Sequence, residues 1–183
     1  MLVRFELSDV AIRRATPADA ARLAWVRTAS WRDAYAEIIP PRTLERIATH
    51  DADRMRRAVI DRRFGQTVWV VTDAANVIFG YAWSGPQTDR SLPFLGEIYE
   101  LYLHPAWQGR GAGRMLLTHA IWELVSVGQH PACLWVLAEN DARHFYESCG
   151  GTPVGSRNVE LGGRTTKKIL YGWHEQLPLP GLV

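Results

Sequence analysis

The sequence has little of what marks a secreted, metal-binding or nucleic-acid-binding protein. Only two of its 183 residues are cysteines, Cys133 and Cys149; they form no C-x-x-C pair, and no H-E-x-x-H is present. A metal site is therefore not predicted, and so few cysteines favour a reduced compartment. The net charge is only +2, and the chain has neither a basic helix nor an aromatic RNA-binding stretch. A nucleic-acid partner is therefore not expected.

Long apolar runs are absent as well. The most apolar stretch, residues 132–138, is far shorter than the ~20 residues of a membrane span. Arg4 and Glu6 interrupt the N-terminal residues, so no secretory signal is predicted and we expect a cytoplasmic protein without membrane association. What is present, 47% hydrophobic and 22% charged residues with no linker and no internal repeat, is typical of one folded domain over residues 1–183.

Apolar spacing and turn residues predict alternating strands and helices. Thr16 and Pro17 form a typical helix start, and two consecutive prolines at 40 and 41 end this first helix. The most regular segment is residues 114–127, whose apolar residues recur with helical spacing. The predicted strands cover residues 10–14, 67–72, 77–83, 95–103, 133–137, 153–159 and 166–173, and the predicted helices cover residues 17–35, 44–64, 114–127 and 142–149.

A glycine-rich loop joins a predicted strand to this most regular helix. Gly109, Gly111 and Gly113 let the backbone turn tightly and bring several N–H groups onto one anion. The unpaired N–H groups and the dipole at the helix start favour the same negative charge. Arg110 and Arg114 add formal charge, so the loop predicts a pyrophosphate site. Glycines that serve only a tight turn are the alternative interpretation.

Two known phosphate motifs do not fit this loop. No Gly-Lys pair occurs for a P-loop, and the third glycine of the dinucleotide fingerprint is missing. The pattern that remains, Q-x-x-G-x-G over residues 108–113, is similar to the acetyl-coenzyme A pyrophosphate motif of the GNAT family of N-acetyltransferases. Residues 140–150 resemble that family's N-x-x-A-x-x-F-Y-x-x-x-G segment, with one residue fewer before the alanine. Residues 31–40 resemble the end of the first helix in many bacterial members.

The resemblance extends over about residues 10–173 and implies a fold, a cofactor and site residues. The fold would be a mixed, mainly antiparallel central sheet that is splayed at the cofactor site, with helices on both faces. The cofactor would be acetyl-coenzyme A. Backbone groups of the glycine-rich loop and the helix start would hold its pyrophosphate, namely Gln108, Gly109, Arg110, Gly111, Ala112, Gly113 and Arg114.

The remaining family roles fall on two other segments. Leu101, Tyr102 and Leu103 would pair with the pantetheine through their backbones, like an added strand, and their N–H groups could hold an oxyanion. Asn140 would contact the pantetheine arm. Tyr146 stands at the family's usual general-acid position, where a phenol would protonate the leaving thiolate.

Two carboxylates compete for the role of general base. An alkyl ammonium has a pKa of about 10.4, so the amine must lose a proton before it attacks. Glu97 is the first candidate because it lies eleven residues before Gln108, a spacing similar to that of the base in histone-modifying members. Glu100 is the second. Three positions apart on a regular strand, the two should point to opposite faces, Glu97 on the face of Leu101 and Leu103. Solvated charges with a water relay stay open as the alternative.

An acceptor pocket and an activity complete the predictions. Amphipathic rings suit a small amine or a peptide N-terminus, although core packing also explains such residues; the candidates are Trp31, Tyr35, Tyr81 and Trp83. The predicted activity is acetyl transfer from acetyl-coenzyme A to a primary amine by direct attack. A non-catalytic acyl-coenzyme A-binding or sensing domain is the alternative, which would not need Glu97, Asn140 and Tyr146 together. The identity of the acceptor and the oligomeric state stay open, and dimers are common among similar proteins.

Overall fold

The computed structural model describes residues 10–35, 41–42, 45, 53–57, 59, 65–161 and 163–175. Seven strands and three helices follow in the order β1 Ala11–Arg14, α1 Ala20–Tyr35, β2 Thr67–Thr72, β3 Ile78–Pro86, β4 Gly96–Leu103, α2 Ala112–Ser126, β5 Ala132–Leu137, α3 Ala142–Ser148, β6 Thr152–Leu161 and β7 Arg164–Trp173. These positions confirm the predicted strands and three of the four predicted helices. Within the remaining predicted helix, 44–64, residues 45, 53–57 and 59 are helical, and the rest of this range lies outside the described residues.

All seven strands form one sheet in the order β1-β2-β3-β4-β5-β7-β6. Every neighbouring pair is antiparallel except β4 with β5, which confirms the mixed, mainly antiparallel sheet. The β2–β3 turn shows how local residues set this pairing. Asp73 accepts hydrogen bonds from the backbone N–H groups of Ala75 and Val77, at 3.0 and 2.8 Å, and Asn76 takes a left-handed conformation with φ 59°.

The sheet is splayed between its two parallel strands. β4 and β5 are paired only at Gly96 with Ala132 and at Glu97 with Cys133. Both strands are fully described, and beyond these two pairs they diverge while β4 remains paired with β3 on its other side. The edge of β4 from Ile98 onward therefore has backbone groups without a neighbouring strand. The predicted splay is confirmed.

Helices cover both faces of the sheet. The apolar stripe of α2, including Leu116 and Ile121, is fully buried against one face with Phe79 of β3. On the other face, Leu23 and Val26 of α1 pack with the inward residues of β2 and β3. Each face of the sheet therefore has its own apolar core. No helix in the described part of the chain is both long and apolar enough to cross a bilayer.

A bulge in β4 changes which faces its side chains occupy. Trp83 of β3 lies opposite Glu100, but the next residue, Ser84, lies opposite Ile98, so Tyr99 is an extra residue in β4. Such an insertion moves every following side chain of the strand to the other face. The alternation expected for a regular strand therefore fails at Tyr99.

The expected face assignment of the two carboxylates is wrong for this reason. Glu97 lies opposite Gly85, and Glu100 lies opposite Trp83, two residues away on the same face of β3. Glu97 and Glu100 therefore share the face that carries α1. Leu101 and Leu103 lie opposite residues of the other face, so Glu97 does not share their side of the sheet.

Candidate active site

A cleft of about 700 Å³ opens where β4 and β5 diverge. Its walls are the two strands, the end of α1, the glycine-rich loop with the start of α2, and the β5–α3 loop with α3. Many of the residues predicted from the sequence line it, namely Tyr35, Glu100, Leu101, Tyr102, Leu103, Gln108, Gly109, Gly111, Gly113, Arg114, Asn140 and Tyr146. The other predicted residues lie outside its lining, namely Trp31, Tyr81, Trp83, Glu97, Arg110 and Ala112.

The glycine-rich loop forms the end of the cleft beside α2. Gly109 and Gly111 have φ values of 71° and 85°, a left-handed conformation that favours glycine. Gly111 directly precedes α2, whose first N–H groups have no acceptor within the helix. Gln108 donates from Nε2 to the carbonyl oxygen of Leu103 at 3.1 Å, which fixes the loop to the end of β4.

Cations and close helix packing complete this end of the cleft. Arg114 donates from Nη2 to the Ser148 carbonyl oxygen at 2.9 Å, and the Arg110 guanidinium lies 5.8 Å from the Trp107 ring centre. A Cβ at Gly113 would lie 3.4 Å from the Phe145 ring, so α2 and α3 approach closely there. A loop without side chains at two positions, a helix start and the Arg114 side chain on the cleft wall together suit a diphosphate, and Arg110 adds positive charge from outside the lining.

Tyr146 of α3 lines another wall of the cleft. Its ring is 7% exposed and packs edge-on against Trp173, whose indole donates to the Cys149 carbonyl oxygen. Burial raises the pKa of the Tyr146 hydroxyl well above its usual value, and the nearby Tyr35 and Cys149 add to the rise. Among the described residues none forms a hydrogen bond with this hydroxyl. The phenol therefore stays protonated at neutral pH, with its proton free for a bound molecule.

Glu100 is a buried carboxylate that contacts two arginines and a tyrosine. Its Oε1 accepts from Arg27 Nε at 3.3 Å and from Arg54 Nη2 at 2.6 Å, and its Oε2 accepts from the Tyr81 hydroxyl at 2.6 Å. The Glu100 side chain is only 6% exposed. Burial raises the pKa of Tyr81, and the negative charge of Glu100 raises it further, so Tyr81 serves as a donor to this carboxylate.

Glu97 is the less encumbered carboxylate. Its Oε2 accepts from the Thr88 backbone N–H at 3.1 Å and from the Thr88 hydroxyl at 2.6 Å. It is buried at the last β4–β5 pair, and the adjacent Ile98 lines the cleft. Its neighbour across that pair is Cys133, and burial together with the charge of Glu97 raises the pKa of that thiol to about 12.

Asn140 connects two walls of the cleft. It donates from Nδ2 to the Tyr35 hydroxyl oxygen at 3.0 Å, and its Oδ1 accepts from the Ala142 backbone N–H at 2.8 Å. The first bond joins the end of α1 to the β5–α3 loop. Trp31 packs edge-on against Tyr35, with ring centres 5.1 Å apart. Of the four predicted acceptor residues, only Tyr35 lines the cleft.

Sequence reasoning missed several residues that position these groups. Arg27 and Ser30 were detectable, because they fall on the same face of the first helix as the buried Leu23. Ser30 donates from Oγ to the Leu103 carbonyl oxygen at 2.7 Å. Arg54 and Thr88 carry no comparable signal, since their contacts with β4 depend on tertiary structure alone.

Comparisons with known proteins agree with this geometry. A family model described as an acetyltransferase (GNAT) domain matches residues 64–150. The chain is 30% identical over 174 residues to the uncharacterized N-acetyltransferase YuaI of Bacillus subtilis, which covers 95% of this chain and 98% of that one. Two solved structures share the fold. PaiA N-acetyltransferase from Thermoplasma acidophilum in complex with coenzyme A has a TM-score of 0.71 at 17% identity, over 90% of this chain and 99% of that one. YncA from Salmonella typhimurium with its cofactor acetyl-CoA has a TM-score of 0.70 at 23% identity, over 95% and 99%.

Proposed function

The chain belongs to the GNAT family of N-acetyltransferases, enzymes that use acetyl-coenzyme A, and from that premise we propose that it acetylates a primary amine by direct attack on the thioester. One observation carries the proposal. The cleft between the diverging strands combines a glycine-rich loop at one end with the protonated hydroxyl of Tyr146, which has no hydrogen-bond partner among the described residues. A small amine or a peptide N-terminus is the proposed acceptor.

The cleft has the donors that acetyl-coenzyme A needs. The loop at 108–113, with Arg110 and Arg114, would hold the pyrophosphate, because its backbone can approach an anion closely. The edge of β4 that faces away from β3 at Leu101 to Leu103, where β5 is not paired with it, would hold the pantetheine by strand-like hydrogen bonds. When bound, the cofactor supplies the acetyl group as an activated thioester.

Glu97 is the proposed general base. It lies on the face of the sheet that carries α1, and the last residue of α1, Tyr35, lines the cleft. Among the described residues, Thr88 engages only one of the two carboxylate oxygens of Glu97. Because Glu97 borders the cleft without lining it, it would take the amine proton through a water molecule. Glu100 is the weaker candidate, since two arginines already stabilise its charge.

Two further groups would assist the transfer. N–H groups on the free edge of β4 would donate to the acetyl carbonyl oxygen as negative charge develops there. Tyr146 would return a proton to the leaving sulfur. Both roles need groups fixed before substrate binds, which the packing of Tyr146 against Trp173 supports.

An acceptor screen tests the proposed function. Purified protein is mixed with acetyl-coenzyme A and a panel of amino acids, polyamines, aminoglycosides and short peptides, and released thiol is measured against the enzyme alone. At least one primary amine should raise thiol release above that blank. Tight binding of coenzyme A without acetylation of any amine would instead favour a binding or sensing domain.

Replacement of Tyr146 by phenylalanine tests the proton donor. Tyr146→Phe keeps the ring packing and removes the hydroxyl, so turnover should fall at least about tenfold, while coenzyme A affinity stays near that of the parent. Tyr171→Phe is a matched control, because its hydroxyl donates to Glu147 rather than lining the cleft. Parental turnover in Tyr146→Phe would reduce Tyr146 to a packing residue.

A further inference from the structure

The Asn140–Tyr35 hydrogen bond has a direction that matters for the cleft. The Asn140 amide nitrogen can only donate, so the Tyr35 oxygen is the acceptor in this bond. The phenolic proton of Tyr35 must then point away from Asn140. Tyr35 lines the cleft, and within the described part of the chain no group accepts its proton.

The ring of Tyr35 is fixed as well as its oxygen. Tyr35 is 8% exposed and packs with Leu137, while Trp31, Val159 and Leu161 pack around this pair. Burial raises the pKa of Tyr35, and the hydrogen bond from Asn140 opposes part of that rise. Tyr35 therefore remains a protonated donor at neutral pH, and its direction is set by Asn140.

We infer that Asn140 is a positioning residue, which acts by holding the Tyr35 hydroxyl so that it donates a hydrogen bond to the acceptor bound in the cleft. This inference rests on the proposed function and refines it. The acceptor would then have an oxygen or nitrogen lone pair close to its reactive amine, as an amino acid or a peptide N-terminus does. A direct contact between Asn140 and the pantetheine arm, as the family resemblance implies, becomes the competing account.

Asn140→Asp separates the two accounts. The carboxylate still accepts from the Ala142 N–H, which preserves the start of α3, but it can no longer donate to Tyr35. The Tyr35 hydroxyl would turn to donate to that carboxylate and away from the cleft. Asn140→Asp should therefore have the same effect as Tyr35→Phe, which removes the hydroxyl.

The experiment compares Asn140→Asp, Tyr35→Phe and the double variant with the parent and with the Tyr171→Phe control. Each single change should lower kcat at least about tenfold and raise KM for the best amine of the screen, with KM for acetyl-coenzyme A nearly unchanged. The double variant should be no slower than Tyr35→Phe. Calorimetry should give a coenzyme A affinity within about threefold of the parent for every variant, since on this inference neither side chain contacts the cofactor.

Two results would overturn the inference. One is a tenfold or greater loss of coenzyme A affinity in Asn140→Asp that persists in the Tyr35→Phe background, which would mean direct cofactor contact. The other is additive loss of turnover in the double variant. If the parent acetylates no amine, the proposed function fails, but calorimetry and a double-mutant cycle of urea unfolding still decide whether Asn140 acts through Tyr35.

Discussion

Three donors contact the carboxylate of Glu100, and they stabilise its negative charge, which makes it a poor acceptor of a proton from an amine. Two guanidiniums and a phenol all donate to this one buried carboxylate. Removing the buried negative charge takes away the interaction that stabilises the neighbouring guanidiniums, which lowers the free energy of unfolding and not only the activity. Among the described residues, Glu97 accepts hydrogen bonds from Thr88 alone and forms no comparable cluster.

Neutralising Glu100 should therefore lower mainly stability, whereas neutralising Glu97 should lower mainly turnover. Glu100→Gln should lower the free energy of unfolding by about 3 kcal/mol, because the buried negative charge that Arg27 and Arg54 both contact is removed. Glu97→Gln should lower it by about 1 kcal/mol and cut turnover at least about tenfold, most strongly at low pH, where free amine is scarce. Urea unfolding and a pH–rate series measure the two effects.

The assignment of the base fails if these variants exchange behaviour. A stable Glu100→Gln protein with collapsed turnover, beside an active Glu97→Gln protein, would make Glu100 the base. Unchanged turnover in both would mean that the amine loses its proton to water. The three-residue spacing could not distinguish the carboxylates, because the extra residue Tyr99 places both on one face.

At the scale of elements, the start of α1 was predictable because its contacts are local. A short turn at Pro17–Asp19 precedes the helix, and Asp19 accepts from the Thr16 backbone N–H at 2.7 Å. Arg13 of β1 donates to both oxygens of Asp19, at 2.8 and 3.0 Å. The spacing of Thr16, Pro17 and Asp19 predicts this start, but nothing in the spacing indicates the bidentate partner on the neighbouring strand.

Asp19→Asn should make stability less dependent on pH. The hydrogen bonds from Arg13 are the largest cause that lowers the pKa of Asp19, to about 2. A depressed carboxyl pKa gives stability that is complete above the unfolded value of about 4 and is lost as pH falls toward 2. At pH 7 the variant should be less stable by about 1–2 kcal/mol, after allowance for the partly exposed Arg13.

Urea unfolding of the parent and Asp19→Asn at several pH values measures this dependence. The two curves should converge as pH falls from about 4 to about 2. Asp73→Asn is a suitable control, because Asp73 accepts only from backbone N–H groups of its own turn. A gap between parent and Asp19→Asn that persists unchanged at pH 2 would contradict an ionic origin.

Across the whole molecule, the strand runs, the most regular helix and the hairpins of consecutive strands β2–β3 and β6–β7 could be predicted, whereas the pairing between strands distant in the sequence could not. Helical spacing of the apolar residues places α2, and β-prone runs bounded by turn residues place the strands, because both signals depend on neighbouring residues. The sheet order, the two-pair contact of β4 with β5 and the cluster around Glu100 join residues far apart in the sequence. The resemblance to a family supplied the splay, which no spacing in the chain indicates.

Binding of coenzyme A should stabilise the whole fold. A ligand at a hundredfold excess over its Kd adds about 2.7 kcal/mol to the free energy of unfolding, which for a chain of this size raises Tm by roughly 5–10 °C. Gly111→Val should lose this increment, because a branched side chain would enter the loop that is assigned to the pyrophosphate. Thermal unfolding with and without coenzyme A measures it.

Gly128→Val controls for backbone strain. Gly128 has φ 74°, close to the 85° of Gly111, but a Cβ there meets no atom within 4 Å and the residue lies outside the cleft lining. Both variants should lose about 1–2 kcal/mol without ligand, while only Gly128→Val keeps the full coenzyme A increment. An equal increment in both would remove the loop from the binding site.

The two-pair junction between β4 and β5 also divides the sheet into two parts that are joined only at one end of these strands. Four strands lie on one side of the junction and three on the other, so the angle between β4 and β5 at Gly96 and Glu97 sets how widely the two strands diverge. A glycine is needed at position 96, because a Cβ there would collide with the Gln129 carbonyl oxygen and push β4 away from the residues before β5. The contacts that fix the spacing of β4 and β5 therefore lie at the closed end of the cleft, at the opposite end of β4 from the glycine-rich loop.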